Sequence, residues 1–516
     1  MYIEAYERTV PLHMKHFAIR KTDLRNNKWL IPIFFILYLI IHLCFLVDFP
    51  FIHSDESWLS GFTRHVMTTG TFKVSEPFFN EYPRAIHGLR IVFVSLQSLF
   101  IRLFGYSPFS VRLLSLIAST FTLWFVNLIL KYLSWSSLYR VLSLLLISLQ
   151  IQFIYASHLA RQDVLILLMM TSAFYITLKK KRPVLTGSLI GLSIGIHPNS
   201  FLIACGIGLI YLVDVIKKET SIKELLLLIT TTTLWAALFI TISLSLNPNF
   251  VHDYLSFGES LGVVNYEFNR FEGFYYYYYK LFHQIGGTYL LLPIRFEILL
   301  LPLTIIIGMY HLISFKNKSL TSIFLMILGI NMGYLIIGRY NQTAIIFTLF
   351  FLMLFWIVFL KTLIPDKVFW ITLLIIAIFN GYNSYPMVTV DNDSYQELGE
   401  YLQLEGRVLG NLNLEYHLKE GQLIDYRNLW DTTDFEGYIK EHDIKYIIVP
   451  EEMSYIKKTS PKWDILYGPL PYYDDMMRYL ENCEVTDSFE SKTYGMRIAR
   501  YINTYPWTIK IYKVSD

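Results

Sequence analysis

Long apolar runs, separated by short polar stretches, fill roughly the first three quarters of the chain. A helix needs roughly 17–25 mostly apolar residues to cross a bilayer. Runs near that length lie at 29–49, 86–104, 109–131, 139–156, 163–178, 183–196, 198–216, 223–246, 290–314, 319–337, 341–362 and 367–384. The pattern therefore predicts a polytopic α-helical membrane protein.

The basic residues indicate which of these runs cross the membrane. Lysine and arginine collect on the cytoplasmic side, and they cluster before the first run and again at Lys179–Arg182. These clusters share one side only if the run at 86–104, which contains Arg90 and Arg102, does not cross. We therefore expect an interfacial helix there, about eleven transmembrane helices, and a cytoplasmic N-terminal segment at 1–28.

The pattern changes after residue 384, where turn residues and charges replace the apolar runs. Alternating helical and strand-like segments predict a small extracytoplasmic α/β domain at 385–516. Its helices are expected at 395–403 and 435–442, and its strands at 407–412, 444–450, 496–502 and 508–514. The membrane domain at 29–384 has two long outer loops, loop one at 50–108 and loop four at 247–289.

Composition supports the membrane assignment and excludes some other classes. Of the 516 residues, 54% are hydrophobic and only 16% are charged, whereas soluble domains carry about 25% charged residues. The net charge of +3 gives no indication of a nucleic-acid partner. The three cysteines, Cys44, Cys205 and Cys483, are too far apart for a metal-binding or disulfide motif.

An acidic pair, Asp55 and Glu56, follows the first apolar run almost at once. A carboxylate at the bilayer centre costs about 2.5–3.5 kcal/mol, and a position just past the helix end avoids that cost. The pair is suited to proton transfer at the membrane surface. A solvated helix end, with Asp55 as its N-cap, explains the same residues equally well.

A second polar group, His158, Arg161 and Asp163, precedes the apolar run at 163–178. The predicted topology brings this group to the same outer face as Asp55. A functional cluster is one explanation. The alternative is that Asp163 caps the following helix and Arg161 only flanks it.

Two further outer segments contain candidate residues. Glu81 lies in loop one, and with Asp55 and Asp163 it could hold a divalent cation or share a proton. Arg339, followed by Tyr340, lies at an outer helix end, where its guanidinium could bind phosphate. An ordinary hydrophilic loop and an interfacial anchor are the respective alternatives.

Several motifs together resemble a known family. They are DE at 55–56, EYP at 81–83, LFGYSPFSVRLLS at 103–115, RQD at 161–163 and GRY at 338–340. In this order they resemble the polyprenyl-phosphate-dependent glycosyltransferases of the GT-C superfamily. The most similar branch is the protein O-mannosyltransferase-like one, which includes the bacterial enzymes that add aminoarabinose to lipid A.

The resemblance implies a GT-C-like fold and sugar transfer from a polyprenyl-phosphate donor to an unidentified acceptor at the outer face, by inverting single displacement. Asp55 matches the expected catalytic base, and Asp163, which matches the acid of the second outer loop, is the second expected catalytic residue. Residues expected to contact substrate are Glu56, Glu81, His158, Arg161, Arg339 and Tyr340. A divalent cation, Mg²⁺ or Mn²⁺, on Asp55, Glu81 and Asp163 is expected only if the reaction depends on a metal; no other cofactor is expected.

The sequence departs from the family pattern at two places. Arg84 and Ala85 stand where many relatives have a second proline or a lysine, which leaves the acceptor pocket open. His197 stands where relatives often have Thr-Lys, which leaves the phosphate contacts open.

Two other classes of function remain on the sequence alone. A lipid or glycan transporter would need ionisable residues deep within several spans, and Glu297 is one candidate. A membrane-anchored binding protein would work through its outer domain, and its loop acids would be dispensable.

Overall fold

Helices dominate the structure, a computed structural model, and one sheet lies near the C-terminus. The structure describes residues 27–179, 181–260, 269–285, 289–290, 292–314, 317–337, 340–389, 393–459, 472–491 and 507–515.

Sixteen described helices precede the C-terminal domain. They are α1 Leu30–Cys44, α2 Ser54–Thr69, α3 Ile91–Phe104, α4 Pro108–Tyr132, α5 Ser137–Ser148, α6 Ile151–His158, α7 Asp163–Lys179, α8 Pro183–Ile194, α9 Phe201–Ile216, α10 Ile222–Leu246, α11 Phe250–Ser260, α12 Arg270–His283, α13 Arg295–Ser314, α14 Lys318–Ile337, α15 Ile345–Leu363 and α16 Asp366–Val388. Each of the eleven runs predicted to cross the membrane contains a helix. The last of them, α16, continues to Val388, four residues beyond the expected end of the membrane domain.

Seven helices in the described ranges are long and apolar enough to span a membrane: α4, α9, α10, α13, α14, α15 and α16. The pair α5 and α6 is bent by 72° and makes an eighth if it forms one span. Three shorter apolar helices, α1, α3 and α8, have 15, 14 and 12 residues. At 1.5 Å per residue each is shorter than a hydrocarbon core of about 30 Å. This length is compatible with the predicted interfacial role of α3, and α1 and α8 are shorter than expected.

Burial separates the inner helices from those that face lipid. Helix α15 is enclosed over most of its length, whereas α10 and α13 expose most of their apolar surface. The inner helices approach each other closely through small residues, as membrane helices commonly do. A side chain at Gly329 of α14 would stand 2.6 Å from the Cα of Gly206 on α9, so only glycine fits there.

The C-terminal domain contains a five-stranded mixed sheet. Its strands are β1 Arg407–Gly410, β2 Leu423–Asp425, β3 Ile444–Pro450, β4 Glu484–Ser491 and β5 Trp507–Lys513, in the order β2-β1-β3-β5-β4. The first three are parallel, and β5 is antiparallel to both β3 and β4. The helices of the domain are α17 Asp393–Tyr401, α18 Phe435–Glu441, α19 Glu451–Thr459 and α20 Tyr473–Leu480.

The predicted helices at 395–403 and 435–442 are confirmed as α17 and α18, and three predicted strands are confirmed as β1, β3 and β5. The strand expected at 496–502 lies outside the described residues. Strands β2 and β4 were not predicted. One has only three residues, and the other is polar and mostly exposed.

The two faces of the sheet are covered differently. One face packs on α18, α19 and α20 through residues such as Leu409 and Ile447. The other face, which includes Val408, packs on α17 and on residues of loop one, among them Ile52 and Phe78. Loop one is therefore part of the core of the C-terminal domain.

Helix α2 also contacts the C-terminal domain. Arg64 pairs with the buried Glu415 and donates to the Leu418 carbonyl at 3.0 Å, and Ser60 donates to the Tyr416 hydroxyl at 2.7 Å. Burial raises the pKa of Glu415 to about 8 even though Arg64 opposes the shift. A side chain at Gly61 would stand 2.8 Å from a Glu415 oxygen, so glycine permits this close docking.

Candidate active site

The first turn of α2 presents the acidic pair that follows the first apolar helix. The ring of His53, not Asp55, caps the helix by accepting a hydrogen bond from the Asp55 amide at 3.0 Å. The alternative explanation, in which Asp55 is the N-cap of this helix, is therefore wrong. Consecutive helix residues point about 100° apart, so Asp55 and Glu56 face different surroundings.

Glu56 is enclosed and fully satisfied. Arg112 of α4 donates to both carboxylate oxygens, at 2.9 and 2.8 Å, and the Ala160 amide donates at 2.7 Å. The remaining donor nitrogen of Arg112 bonds the carbonyls of Leu46 and Val47. Neither side chain is exposed to solvent. The geometry gives Glu56 no opening for the substrate contact that we expected, and we reassign it to positioning α2.

Asp55 lies in a more open and less satisfied environment. Its side chain is 26% exposed, and Oδ2 lies 3.4 Å from Arg161 Nη1 and accepts a hydrogen bond from the Tyr289 hydroxyl. Burial alone would raise the pKa of Asp55, but the charges of Arg161 and His53 and the Tyr289 hydrogen bond outweigh it and hold the pKa at about 2. The carboxylate is therefore ionised at neutral pH.

Arg161 brings the two predicted catalytic acids together. Its Nε lies 3.5 Å from Asp163 Oδ2, while its Nη1 faces Asp55. Among the described residues, Arg161 Nε and Asp163 Oδ2 have no hydrogen-bond partner. Buried polar atoms are normally hydrogen-bonded, and two that meet only in a long ion pair call for an explanation such as a catalytic role. The predicted grouping of Asp55, Arg161 and Asp163 is therefore present.

Tyr289 connects this group to loop four. Its hydroxyl donates to Asp55 and accepts from Arg161, and its ring stacks on His53 at 4.2 Å. Burial raises the pKa of Tyr289 well above its usual value, so the phenol keeps its proton. Nothing in the sequence marks Tyr289, because a single tyrosine near a run of five carries no distinguishing signal.

His158 turns away from the acids. Its Nδ1 lies 3.1 Å from the Phe49 carbonyl and its Nε2 lies 2.8 Å from His42 Nδ1. Because a carbonyl only accepts, we infer that His158 Nδ1 carries the proton and that His42 donates to Nε2. Both ring nitrogens are thus occupied, and the expected substrate contact of His158 is not supported by this geometry.

Glu81 does not join Asp55 and Asp163. Its Oε1 lies 2.7 Å from His442 of the C-terminal domain. Across the described ranges, no group of three His, Cys, Asp or Glu side chains could hold a metal ion. The three acids therefore do not form the expected cation site among the described residues.

The predicted phosphate-binding pair is described only in part. Arg339 lies outside the described residues. The Tyr340 ring packs edge-on against Tyr334 with centroids 4.5 Å apart. Its hydroxyl is buried and has no hydrogen-bond partner among the residues described, so its predicted contact with substrate remains a prediction.

A cationic cluster, formed by Arg84, Arg90 and Arg427, surrounds the ring of Trp58 at 4.3, 5.5 and 5.8 Å. Glu76 accepts two hydrogen bonds from Arg84 and one from the Trp58 indole. These contacts outweigh burial and lower the pKa of Glu76 to about 2.

The members of the cationic cluster differ in pairing. Arg84 is paired with Glu76 and Arg427 with Asp425. The guanidinium of Arg90 has no hydrogen bond or ion pair within the described part of the chain. The electrostatic reach of Arg90 and Arg427 extends to Asp55. A cation cluster beside an ionised carboxylate is suited to binding an anion.

Only part of this cluster is marked in the amino-acid sequence. Arg84 stood out as a departure from the family pattern and Arg90 as a charge in the interfacial helix. Their common neighbour Trp58 and the contribution of Arg427 from another domain depend on packing that no spacing rule reveals.

No family model matches the chain, and the search of curated proteins found no match. The shape is similar to two crystal structures of ArnT from Cupriavidus metallidurans, one in the apo state and one bound to undecaprenyl phosphate. They cover 92% and 93% of this chain and 97% of theirs, with TM-scores of 0.44 and 0.43 and sequence identities of 11% and 10%. At this level of likeness no residue role is transferred from them.

Proposed function

We propose that this chain is a membrane glycosyltransferase that moves a sugar from a polyprenyl-phosphate donor to an acceptor at the outer face of the membrane. In this proposal the N-terminus is cytoplasmic and the C-terminal domain is extracytoplasmic. The observation that carries it is the partly exposed, ionised Asp55 within electrostatic reach of Arg90, which has no ion pair among the described residues. These two groups supply the base and the cation that such a transfer needs.

Asp55 is assigned as the base. Proton transfer by a positioned group contributes typically about 10²–10⁴-fold to the rate and works best when the pKa of the base lies near the working pH. The Asp55 pKa of about 2 is low for that task. A bound donor phosphate would place negative charge nearby and compete for Arg161, and both effects raise the pKa of a carboxyl group.

The cationic cluster is assigned to the donor phosphate. A guanidinium binds phosphate through two parallel hydrogen bonds. Arg90 has these donors free of ion pairs among the described residues, and it begins α3, the short apolar helix next to the lipid. Burial and the neighbouring charge of Arg90 lower the pKa of His87 to about 3. His87 is therefore neutral at pH 7 and adds no charge to the cluster.

The reaction is a single displacement. The acceptor oxygen or nitrogen attacks the anomeric carbon of the sugar and forms the new glycosidic bond. The bond from that carbon to the phosphate oxygen breaks, and its electron pair leaves with the polyprenyl phosphate. Asp55 takes the acceptor proton and later releases it to water. Fixed cations beside the leaving phosphate stabilise its growing negative charge, and the sugar carbon inverts.

A transporter is less well supported. It needs ionisable residues near the middle of the spans. Glu297, the candidate from the sequence, lies in the first turn of α13 and accepts a hydrogen bond from Gln150 at 3.3 Å. Asp214 of α9 is paired with Lys181. These positions are near helix ends, so they do not favour transport.

The test uses purified full-length protein in lipid with a panel of polyprenyl-phosphate sugars and candidate acceptors. Release of free polyprenyl phosphate is measured for wild type, Asp55→Asn and Asp48→Asn. Asp48 is an exposed acid seven residues earlier and makes none of the Asp55 contacts. We expect release by wild type and Asp48→Asn, and a loss of about 10²–10⁴-fold in Asp55→Asn.

Two results would contradict the proposal in different ways. If no donor releases polyprenyl phosphate, even with divalent metal added, the transferase assignment is wrong. Equal release by Asp55→Asn and wild type keeps the transferase assignment but rejects Asp55 as the base.

A further inference from the structure

A short turn of the C-terminal domain, residues 425–428, lies directly on loop one. The Asp425 amide donates to the Phe78 carbonyl at 3.1 Å, and Asn428 Nδ2 donates to the same carbonyl at 2.8 Å. Phe78 itself is buried against the sheet. This turn therefore holds the chain where loop one turns towards the cationic cluster.

Asn428 makes five hydrogen bonds through one buried side chain. Its Oδ1 accepts from three successive amides, Asn80 at 3.0 Å, Glu81 at 3.1 Å and Tyr82 at 3.0 Å. Its Nδ2 also donates to the Asp425 carbonyl at 2.9 Å. The side chain is fully buried. An amide has both an acceptor and donors, and here all of them bind main chain.

These contacts fix the backbone just before Arg84. Loop one has no helix or strand between Gly70 and Arg90, so its main-chain groups need partners elsewhere. Asn428 supplies partners for three of them in a row. Two residues later, the Arg84 guanidinium stacks on Trp58 and binds Glu76.

The same turn extends a charge towards the site. Arg427 lies over the rings of Phe79, Trp58 and Tyr82 at 5.0, 5.8 and 6.0 Å, and its Nε binds Asp425 Oδ1 at 3.0 Å. Its charge contributes to the low pKa of Asp55. The C-terminal domain thus reaches the candidate site with both a hydrogen-bonding group and a cation.

We propose that the turn at 425–428 is a working part of the active site, in which Asn428 is a positioning residue that sets the loop-one backbone for binding of the donor phosphate. This rests on the proposed function. It assigns the C-terminal domain a role in assembling the catalytic site, beyond covering it. A misplacement of about 1 Å in such a site costs roughly 10²-fold.

Two Asn428 variants separate the parts of this contact. Asn428→Leu keeps the number and branching of the side-chain heavy atoms and removes all five hydrogen bonds. Asn428→Asp keeps the acceptor for the three loop-one amides and loses both donors. Leu480→Ala is the matched control, because Leu480 is buried in the core of the same domain against α18–α20 and the sheet, away from loop one. It destabilises the domain without removing a bond to loop one.

Two measurements are made on the full chain in lipid. The first is amide hydrogen exchange of the loop-one peptide that contains residues 80–82, which does not depend on activity. The second is the KM and kcat for the polyprenyl-phosphate donor. We expect Asn428→Leu to lose protection at 80–82 and to raise the donor KM at least tenfold. Asn428→Asp should keep most of the protection and a KM near that of wild type.

Leu480→Ala should lower thermal stability but leave the exchange at 80–82 and the donor KM unchanged. The proposal is overturned if Asn428→Leu leaves exchange at 80–82 unchanged, or if its KM changes no more than that of Leu480→Ala. Should wild type turn over no donor, the proposed function fails. The exchange data then still decide whether Asn428 holds loop one.

Discussion

Two neighbouring ion pairs, at Glu56 and at Asp55, use the same kinds of side chain in contrasting ways. Glu56 and Arg112 are enclosed, and both carboxylate oxygens are occupied. Asp55 is partly exposed and shares Arg161 with Asp163. Its carboxylate lies 3.4 Å from the Arg161 guanidinium, whereas that of Glu56 lies 2.8 Å from the Arg112 guanidinium. The acids are adjacent in sequence, yet only one retains bonding capacity for a substrate.

This difference distinguishes acidic residues that stabilise the structure from those that are available to react with a substrate. The Glu56 pair connects the end of α1, the start of α2, α4 and the Ala160 turn, so it holds the scaffold together. In the Asp55 group, Arg161 Nε and Asp163 Oδ2 meet only in a 3.5 Å ion pair and have no hydrogen-bond partner among the described residues. An ion pair whose hydrogen-bonding atoms are all occupied stabilises the fold. One whose atoms are not all occupied can still bind a substrate.

The largest expected effect comes from breaking the Glu56 pair. Glu56→Gln leaves the buried charge of Arg112 without its partner, which should lower the free energy of unfolding by about 3–5 kcal/mol. Asp55→Asn, at a partly exposed site, should cost less than about 1 kcal/mol of stability. Thermal unfolding of both variants in the same detergent makes the comparison. Equal destabilisation by the two variants would remove the distinction between the pairs.

Much of the fold could be predicted because its signals are local. Each predicted span is a continuous apolar run, and the strands β1, β3 and β5 are short apolar segments between turn residues. β4 has no such pattern, because it is an edge strand exposed along most of its length. β2 has three residues, too few for any periodicity to show.

Only those site residues that lie at the ends of apolar runs could be predicted from the sequence. Asp55, Arg161 and Asp163 each lie next to an apolar run, so a shared membrane face brings them together. Arg112 was part of a quoted motif, but its pairing with Glu56 depends on how α4 packs against α2. Tyr289 and Arg427 arrive from distant segments, and no local pattern marks them.

A second prediction weakens the Asp55 group itself. Arg161→Gln removes the main charge that holds the pKa of Asp55 low, and loss of a neighbouring arginine raises a carboxyl pKa by roughly one to three units. In the proposed mechanism the ionised form of Asp55 is the active base, so activity is lost as pH falls through this pKa. The acid limb of the kcat/KM profile should therefore move to higher pH. Arg102→Gln, an exposed arginine on α3, should leave the limb in place.

A third prediction concerns the unpaired arginine of the cationic cluster. In the proposed mechanism, Arg90→Gln removes a charge-assisted hydrogen bond to phosphate, worth about 1.5–3 kcal/mol, and should raise the donor KM about 10–100-fold. Arg90→Lys keeps the charge without the planar fork and should recover part of the loss. A donor KM unchanged in Arg90→Gln would show that the phosphate binds elsewhere.

The smallest expected effect comes from Tyr289→Phe, which removes the hydroxyl that donates to Asp55 and accepts from Arg161 and Asn341. The phenyl ring keeps the stack on His53, so the local packing is preserved. Because Asp55 is 26% exposed, water replaces part of the lost bond, and the pKa of Asp55 should rise by about one unit or less. The acid limb of the kcat/KM profile should therefore lie between those of wild type and Arg161→Gln. The control Tyr275→Phe, which changes an exposed tyrosine of α12, should match wild type. A limb as high as that of Arg161→Gln would mean that the arginine acts on Asp55 mainly through the phenol, and Tyr289 would then be the principal regulator of the base.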